Sequence, residues 1–114
     1  MSSLANKMFV LQSQGLGGGD LELSSKMMRG FLKMTAKQEN KPRTIFFMGD
    51  SIYLLTKDSL VIEFLQQLEQ DGVELLACRA ALEWYKMEDS LAVGKIGSTG
   101  IWLERMGALE VITL

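Results

Sequence analysis

The chain has 114 residues, of which 47% are hydrophobic and 23% charged, and this balance predicts a single globular domain over residues 1–114. The net charge of −2, without any basic cluster, indicates that the protein does not bind nucleic acid. One cysteine and no histidine exclude an internal disulfide framework and hydrolases that depend on an imidazole, and we predict no metal site and no cofactor.

Apolar runs in the sequence are short. The first, from Met8 to Leu11, has only four residues, which is too few for the core of a signal peptide or for a membrane span. We therefore expect a cytoplasmic protein that does not associate with membranes.

Strand-like and helix-like segments alternate along the chain. The predicted strands are 7–12, 44–48, 73–77, 91–96 and 109–113, and the predicted helices are 20–36, 58–70, 79–86 and 99–106. Alternation with short connections is typical of crossover units. We therefore predict an α/β fold with three layers, α/β/α, around a five-stranded, mostly parallel sheet.

A glycine-rich loop, GLGGGD at residues 15–20, separates the first strand from the first helix, where phosphate-binding loops occur. The dinucleotide pattern would need a glycine in place of Asp20, and the lysine of a Walker motif is missing. Asp20 would repel a phosphate but stabilises a helix start. Nucleotide binding is therefore the weaker alternative, and the loop is interpreted as a turn bordering a cleft, with Gly17 and Gly18 as candidate substrate-binding residues.

Two further candidates follow the second strand. Asp50 and Ser51 are turn residues by themselves, and catalysis is not expected of them. However, ligands of open α/β sheets bind at the carboxyl ends of the strands, where the glycine loop is also predicted. Asp50 and Ser51 are therefore candidate substrate-binding residues at the same edge.

Cys78 stands where the third strand meets the next helix. Cysteine is among the most buried residue types, so Cys78 could be an inert core thiol. Alternatively, the free N–H groups of the following helix, together with Arg79, would stabilise a thiolate that needs no histidine. Both interpretations remain open from position alone.

Five segments of the chain, in this order, resemble the DsrE/DsrF-like sulfur-transfer family, and especially the carboxyl-terminal domain of YedF-type selenium-metabolism proteins. They are GGGDLELSSKMMRGFL at 17–32, PRTIFF at 42–47, GVELLAC at 72–78, LEWY at 82–85 and LAVGKI at 91–96. The resemblance implies an α/β/α domain and a persulfide held on Cys78. It also implies a sulfur-carrier protein as partner and assembly into trimers or hexamers.

The chain departs from the YedF-type pattern at two positions. Ala81 replaces a second cysteine, which excludes an intramolecular disulfide relay, and Tyr53 stands where a lysine is common. The leading hypothesis is a sulfur carrier or sulfurtransferase-like protein that uses Cys78, with Arg79 beside it as a substrate-binding residue. The alternative is a non-catalytic oligomeric module that binds a small ligand or a partner protein. Broad apolar stripes and eight methionines favour self-association under either hypothesis.

Overall fold

All strands of the sheet run in the same direction. The computed structural model describes residues 3–114, and the strand order is β4-β3-β2-β1-β5. Every neighbouring pair is parallel, so the prediction of a mostly parallel, five-stranded sheet is confirmed and extended. The strands are β1 (Lys7–Leu11), β2 (Thr44–Phe47), β3 (Glu74–Cys78), β4 (Lys95–Gly97) and β5 (Glu110–Thr113).

Helical segments connect each strand to the next. They are α1 (Leu21–Ala36), a 3₁₀ helix η1 (Gly49–Leu55), α2 (Ile62–Gln70), α3 (Arg79–Trp84) and α4 (Thr99–Ala108). The 3₁₀ helix was not predicted, and α2 begins later than the predicted residue 58. The fourth strand begins at Lys95, later than predicted, and ends at Gly97, one residue beyond the predicted segment 91–96. None of the helices within residues 3–114 is long and apolar enough to cross a membrane.

The helices cover the two faces of the sheet unequally. The larger core lies between one face and α1, η1, α2 and α3, whereas the other face packs against α4. The first three crossovers step in one direction along the sheet and the fourth steps back. Crossovers of a single handedness place helices on opposite faces when the direction reverses. The predicted three layers are confirmed, with α4 as the helix of the third.

α4 is held on its face by packing and by an ion pair. The Trp102 ring stacks on Phe46 of β2 with centroids 5.2 Å apart. Arg105 donates from Nε to Oε1 of Glu74 at 2.8 Å and from Nη2 to Oε2 at 3.0 Å. The helix is therefore joined to the sheet by a stacked aromatic pair and by a two-pronged ion pair at the amino end of β3.

The broad apolar stripe expected on α1 is only partly in the core. Met28 and Leu32 are almost completely buried, but Leu23 and Met27 are more than half exposed. Trp84 at the end of α3 is 82% exposed, so it does not belong to the core of the domain. Apolar side chains therefore remain on the surface as well as in the core.

Candidate functional site

Cys78 is the last residue of β3 and directly precedes α3. Its side chain is half-buried and makes no capping hydrogen bond to that helix. The sulfur packs against the core clusters of both sheet faces. Cys78 therefore lies at the carboxyl edge of the sheet, between the two helical layers, as the sequence predicted.

The connections that follow β3 and β4 lie on opposite faces of the sheet, and they diverge beside Cys78. α3 leaves β3 on the face with three α-helices, and α4 leaves the neighbouring strand β4 on the opposite face. Ligand crevices in open α/β sheets form where adjacent strands send their connections to opposite faces. Cys78 pairs with Gly97 at this point, which is therefore the topological switch point of the sheet.

Gly97 allows the strands to approach closely at the switch point. A Cβ atom at this position would lie 3.1 Å from Cβ of Leu76 and 3.1 Å from Cε2 of Phe46, which is tighter than most packing contacts. The glycine thus keeps β4 in contact with the sheet opposite Cys78. Ser98 follows and accepts a hydrogen bond from the N–H of Ile101 at 3.2 Å, which fixes the start of α4.

Asp50 and Ser51 lie at the same edge, after the neighbouring strand β2. Ser51 is completely buried, and its hydroxyl oxygen lies within hydrogen-bond distance of the carbonyl oxygens of Leu11 and Met48, at 3.1 and 2.6 Å. Asp50 accepts from the N–H of Gln14 at 3.1 Å. Both side chains join the loop after β1 to the segment after β2, so their observed contacts are structural.

The glycine loop follows β1 at this edge. Gly17 and Gly18 are exposed and have φ angles of 87° and 63°, in the left-handed region that favours glycine. Asp20 caps α1 by accepting from the N–H of Leu23 at 2.9 Å. The interpretation of Asp20 as a stabiliser of the helix start is confirmed.

Arg79 begins α3 and is exposed to solvent. No carboxylate among residues 3–114 forms an ion pair with its guanidinium. The same described part of the chain contains no group of three acidic, cysteine or histidine side chains placed to hold a metal ion.

Glu74, at the opposite end of β3 from Cys78, has a shifted pKa. Hydrogen bonds from Arg105 lower the pKa of Glu74, with smaller contributions from Thr44 and Lys95 against the opposing effect of burial. The Glu74 carboxylate is at the amino end of the strand, away from Cys78, and it joins α4 to the sheet.

A cleft of about 590 Å³ opens beside the first turns of α1 and was only partly anticipated. We call it the α1 cleft. It lies between α1, the loop after β1 and the connection from η1 to α2; its lining includes Gly15, Ser24, Arg29, Tyr53, Asp58 and Leu60. The glycine loop does border it, although through Gly15 and not through the predicted Gly17 and Gly18. Cys78 does not line this cleft.

By its fold, the protein belongs to the α/β/α class with an all-parallel sheet. A half-buried cysteine lies at the topological switch point of that sheet. The chain belongs to the DsrE/DsrF-like family, whose model matches residues 7–113, and this family is associated with sulfur relay. The crystal structure of the ychN protein from E. coli has the same fold, with a TM-score of 0.69 at 14% identity over 96% of this chain and 99% of that chain. No curated protein matches in sequence.

Proposed function

We propose that the protein is a sulfur carrier that holds a persulfide on Cys78 and passes the outer sulfur to a thiol of a partner protein. The observation that carries the proposal is the position of the half-buried Cys78 at the switch point of the sheet. Membership of a family associated with sulfur relay supports it.

The proposed chemistry requires one cysteine. The Cys78 thiolate attacks the outer sulfur of a donor persulfide, the S–S bond of the donor breaks, and the donor leaves as a thiolate. An acceptor thiolate then attacks the outer sulfur on Cys78 and releases the Cys78 thiolate. The two exchanges balance without any external oxidant or reductant. The replacement of a second cysteine by Ala81 is compatible with this route.

The surroundings of Cys78 suit an anionic donor and an incoming partner. α3 begins immediately after Cys78, and α4 begins two residues after Gly97, its partner in the sheet. The N–H groups at helix starts attract anions. Exposed Arg79 and Trp84, at the two ends of α3, provide a cation and an apolar ring for a docking protein or for a second copy of the chain. The trimeric or hexameric assembly and the cytoplasmic location belong to this proposal.

Mass spectrometry after incubation with glutathione persulfide tests the carrier role. We expect one added sulfur atom on the wild-type protein, none on Cys78→Ser, and loss of that sulfur when a thiol acceptor is supplied. Arg79→Gln should slow loading from this anionic donor. Arg43→Gln removes an exposed cation next to the amino end of β2 and serves as the matched control.

Alkylation by iodoacetamide distinguishes the carrier from the alternative, a non-catalytic oligomeric binding module. A carrier is labelled at Cys78 while folded. A protein that takes up no sulfur from the persulfide donor, and that is labelled only after unfolding in urea, would contradict the carrier role and leave Cys78 as a packing residue.

A further inference from the structure

The α1 cleft has the size and the place of a small-molecule site. Its volume of about 590 Å³ lies within the range of roughly 300–1,000 Å³ found for ligand pockets. Its walls include Gly15, from the loop after β1, and Tyr53, from the helix after β2. The cleft therefore lies beside the carboxyl ends of two strands, where α/β sheets bind ligands.

One wall of the cleft carries a cation, Arg29, that lies over an aromatic ring. The guanidinium carbon of Arg29 lies 5.6 Å from the centre of the Phe64 ring, so this ring helps to position the charge. No carboxylate within residues 3–114 forms an ion pair with Arg29. Lys26, on the same wall, has only a long, exposed contact of 3.9 Å with Glu22. This wall therefore presents two cations that the chain itself does not neutralise well.

The cleft also has an apolar floor and an apolar mouth. Met28, Leu54 and Val61 are buried and line it from within. Leu21 and Leu60 line it while remaining 84% and 80% exposed. An apolar ligand body would cover both leucines and remove their apolar surface from water, which favours binding.

The loop wall of the cleft is held against the helix. The N–H of Leu16 donates to the carbonyl of Ser24 at 3.0 Å, and Gln14 is bonded to Asp50. A Cβ at Gly15 would lie 2.5 Å from Oγ of Ser24, so the absence of a side chain there permits the contact. The cleft is thus formed before any ligand arrives, which limits the entropy cost of binding.

We infer that the α1 cleft binds a small organic anion with an apolar body, the anionic group lying on the Arg29 wall and the body against Leu21 and Leu60. The lining contains one carboxylate, Asp58, and two cations, Lys26 and Arg29, so an anion is favoured over a cation. The site is separate from Cys78, which is outside the lining, and the inference does not depend on sulfur transfer.

Two fluorescent probes that differ in one group test this site. 8-Anilinonaphthalene-1-sulfonate has an apolar body and a sulfonate, and N-phenyl-1-naphthylamine has the same body without the charge. We expect saturable binding of one sulfonate probe per chain, with weaker binding of the neutral probe. Arg29→Gln should weaken binding of the sulfonate probe about two- to fivefold, the range for loss of one partly exposed ion pair, and leave the neutral probe unchanged.

Matched variants locate the effect. Lys33→Gln removes one exposed charge from α1 outside the cleft and should change neither affinity, whereas Leu60→Ser should weaken both probes. Circular dichroism checks that each variant is folded. Cys78→Ser should bind both probes normally, which separates failure of this site from failure of the carrier role.

Three results would overturn the inference. They are equal affinity for the charged and neutral probes, equal losses in Arg29→Gln and Lys33→Gln, and sulfonate binding that is insensitive to Leu60→Ser. Each would mean that the probe binds elsewhere on the apolar surface or without recognition of its charge.

Discussion

Glu74→Gln should destabilise the fold by loosening α4 from the sheet. The carboxylate accepts two hydrogen bonds from Arg105 and one of 3.0 Å from Thr44 Oγ1. Glutamine has nearly the same shape but has no charge and only one acceptor oxygen. The two-pronged pair is therefore lost, while the packing of Trp102 on Phe46 is retained.

The size of the effect follows from the exposure of the pair. Hydrogen bonds to charged groups contribute about 1.5–3 kcal/mol when they are well protected, and exposed ion pairs contribute about 1 kcal/mol or less. The side chains of Glu74 and Arg105 are 20% and 26% exposed, which is between these cases. We expect a loss of roughly 1–2 kcal/mol in the free energy of unfolding, or a decrease of about 3–8 °C in the melting temperature.

The stability difference between wild type and Glu74→Gln should decrease at acid pH. Arg105 lowers the pKa of Glu74 in the folded protein, so the unfolded chain binds a proton at this residue more readily than the native state. The contribution is complete above the unfolded pKa of about 4.3 and is lost as the pH falls through the lower folded value. The stability difference between wild type and Glu74→Gln should therefore be constant near neutrality and become smaller below about pH 4.

Urea unfolding followed by circular dichroism measures this difference at each pH. Glu104→Gln is the matched control, because Glu104 also accepts from Arg105, at 2.9 Å, but its side chain is 72% exposed. We expect the control to change stability by less than about 0.5 kcal/mol. Equal losses in the two variants, or a Glu74→Gln effect that persists unchanged at acid pH, would refute the reasoning.

Two further changes probe the core and a helix cap. Leu32→Ala, at a completely buried position on α1, should lower the free energy of unfolding by about 2–5 kcal/mol, seen as a lower urea midpoint with an unchanged slope; a loss below about 1 kcal/mol would contradict the packing described for α1. Asp20→Ala removes the capping bond to the N–H of Leu23 and should cost about 1 kcal/mol in thermal denaturation, whereas Asp20→Asn retains the cap and should cost less.

The sheet could be predicted because its signals are local and agree with one another. Apolar runs such as Thr44–Phe47 are typical of strands buried on both faces, and this strand is buried throughout. The end of α2 was also predictable, since Gly72 follows it with a φ of 94°. Asp20 similarly marked the start of α1.

Other boundaries depend on tertiary contacts and could not be predicted. The turn signal at Gly49-Asp50-Ser51 leads into a 3₁₀ helix. The Ser51 hydroxyl stabilises this helix through the carbonyls of Leu11, in β1, and Met48, directly after β2. α2 begins after Val61 without a side-chain cap, so no sequence signal marked its start. The predicted end of the last helix at residue 106 is also wrong, because Gly107 lies inside α4.

The position of Cys78 could be predicted from the sequence, whereas the α1 cleft could be predicted only in part. The position of Cys78 could be predicted because it stands at the junction of a strand and a helix. The α1 cleft could not be found as a whole, because its lining comes from three separate stretches of the chain within residues 14–61. The sequence indicated the cleft only through the glycine loop.

The strand order has a consequence for folding during synthesis. β5 pairs with β1, so Glu110 lies opposite Lys7, and a bond between their side chains spans a sequence separation of 103 residues. As the chain leaves the ribosome, β1 to β4 can assemble with the helices of one face, but Met8 and Phe46 on the other face stay uncovered until α4 has emerged. The nascent chain thus carries an exposed apolar sheet face and an open edge at β1 until α4 and β5 are made.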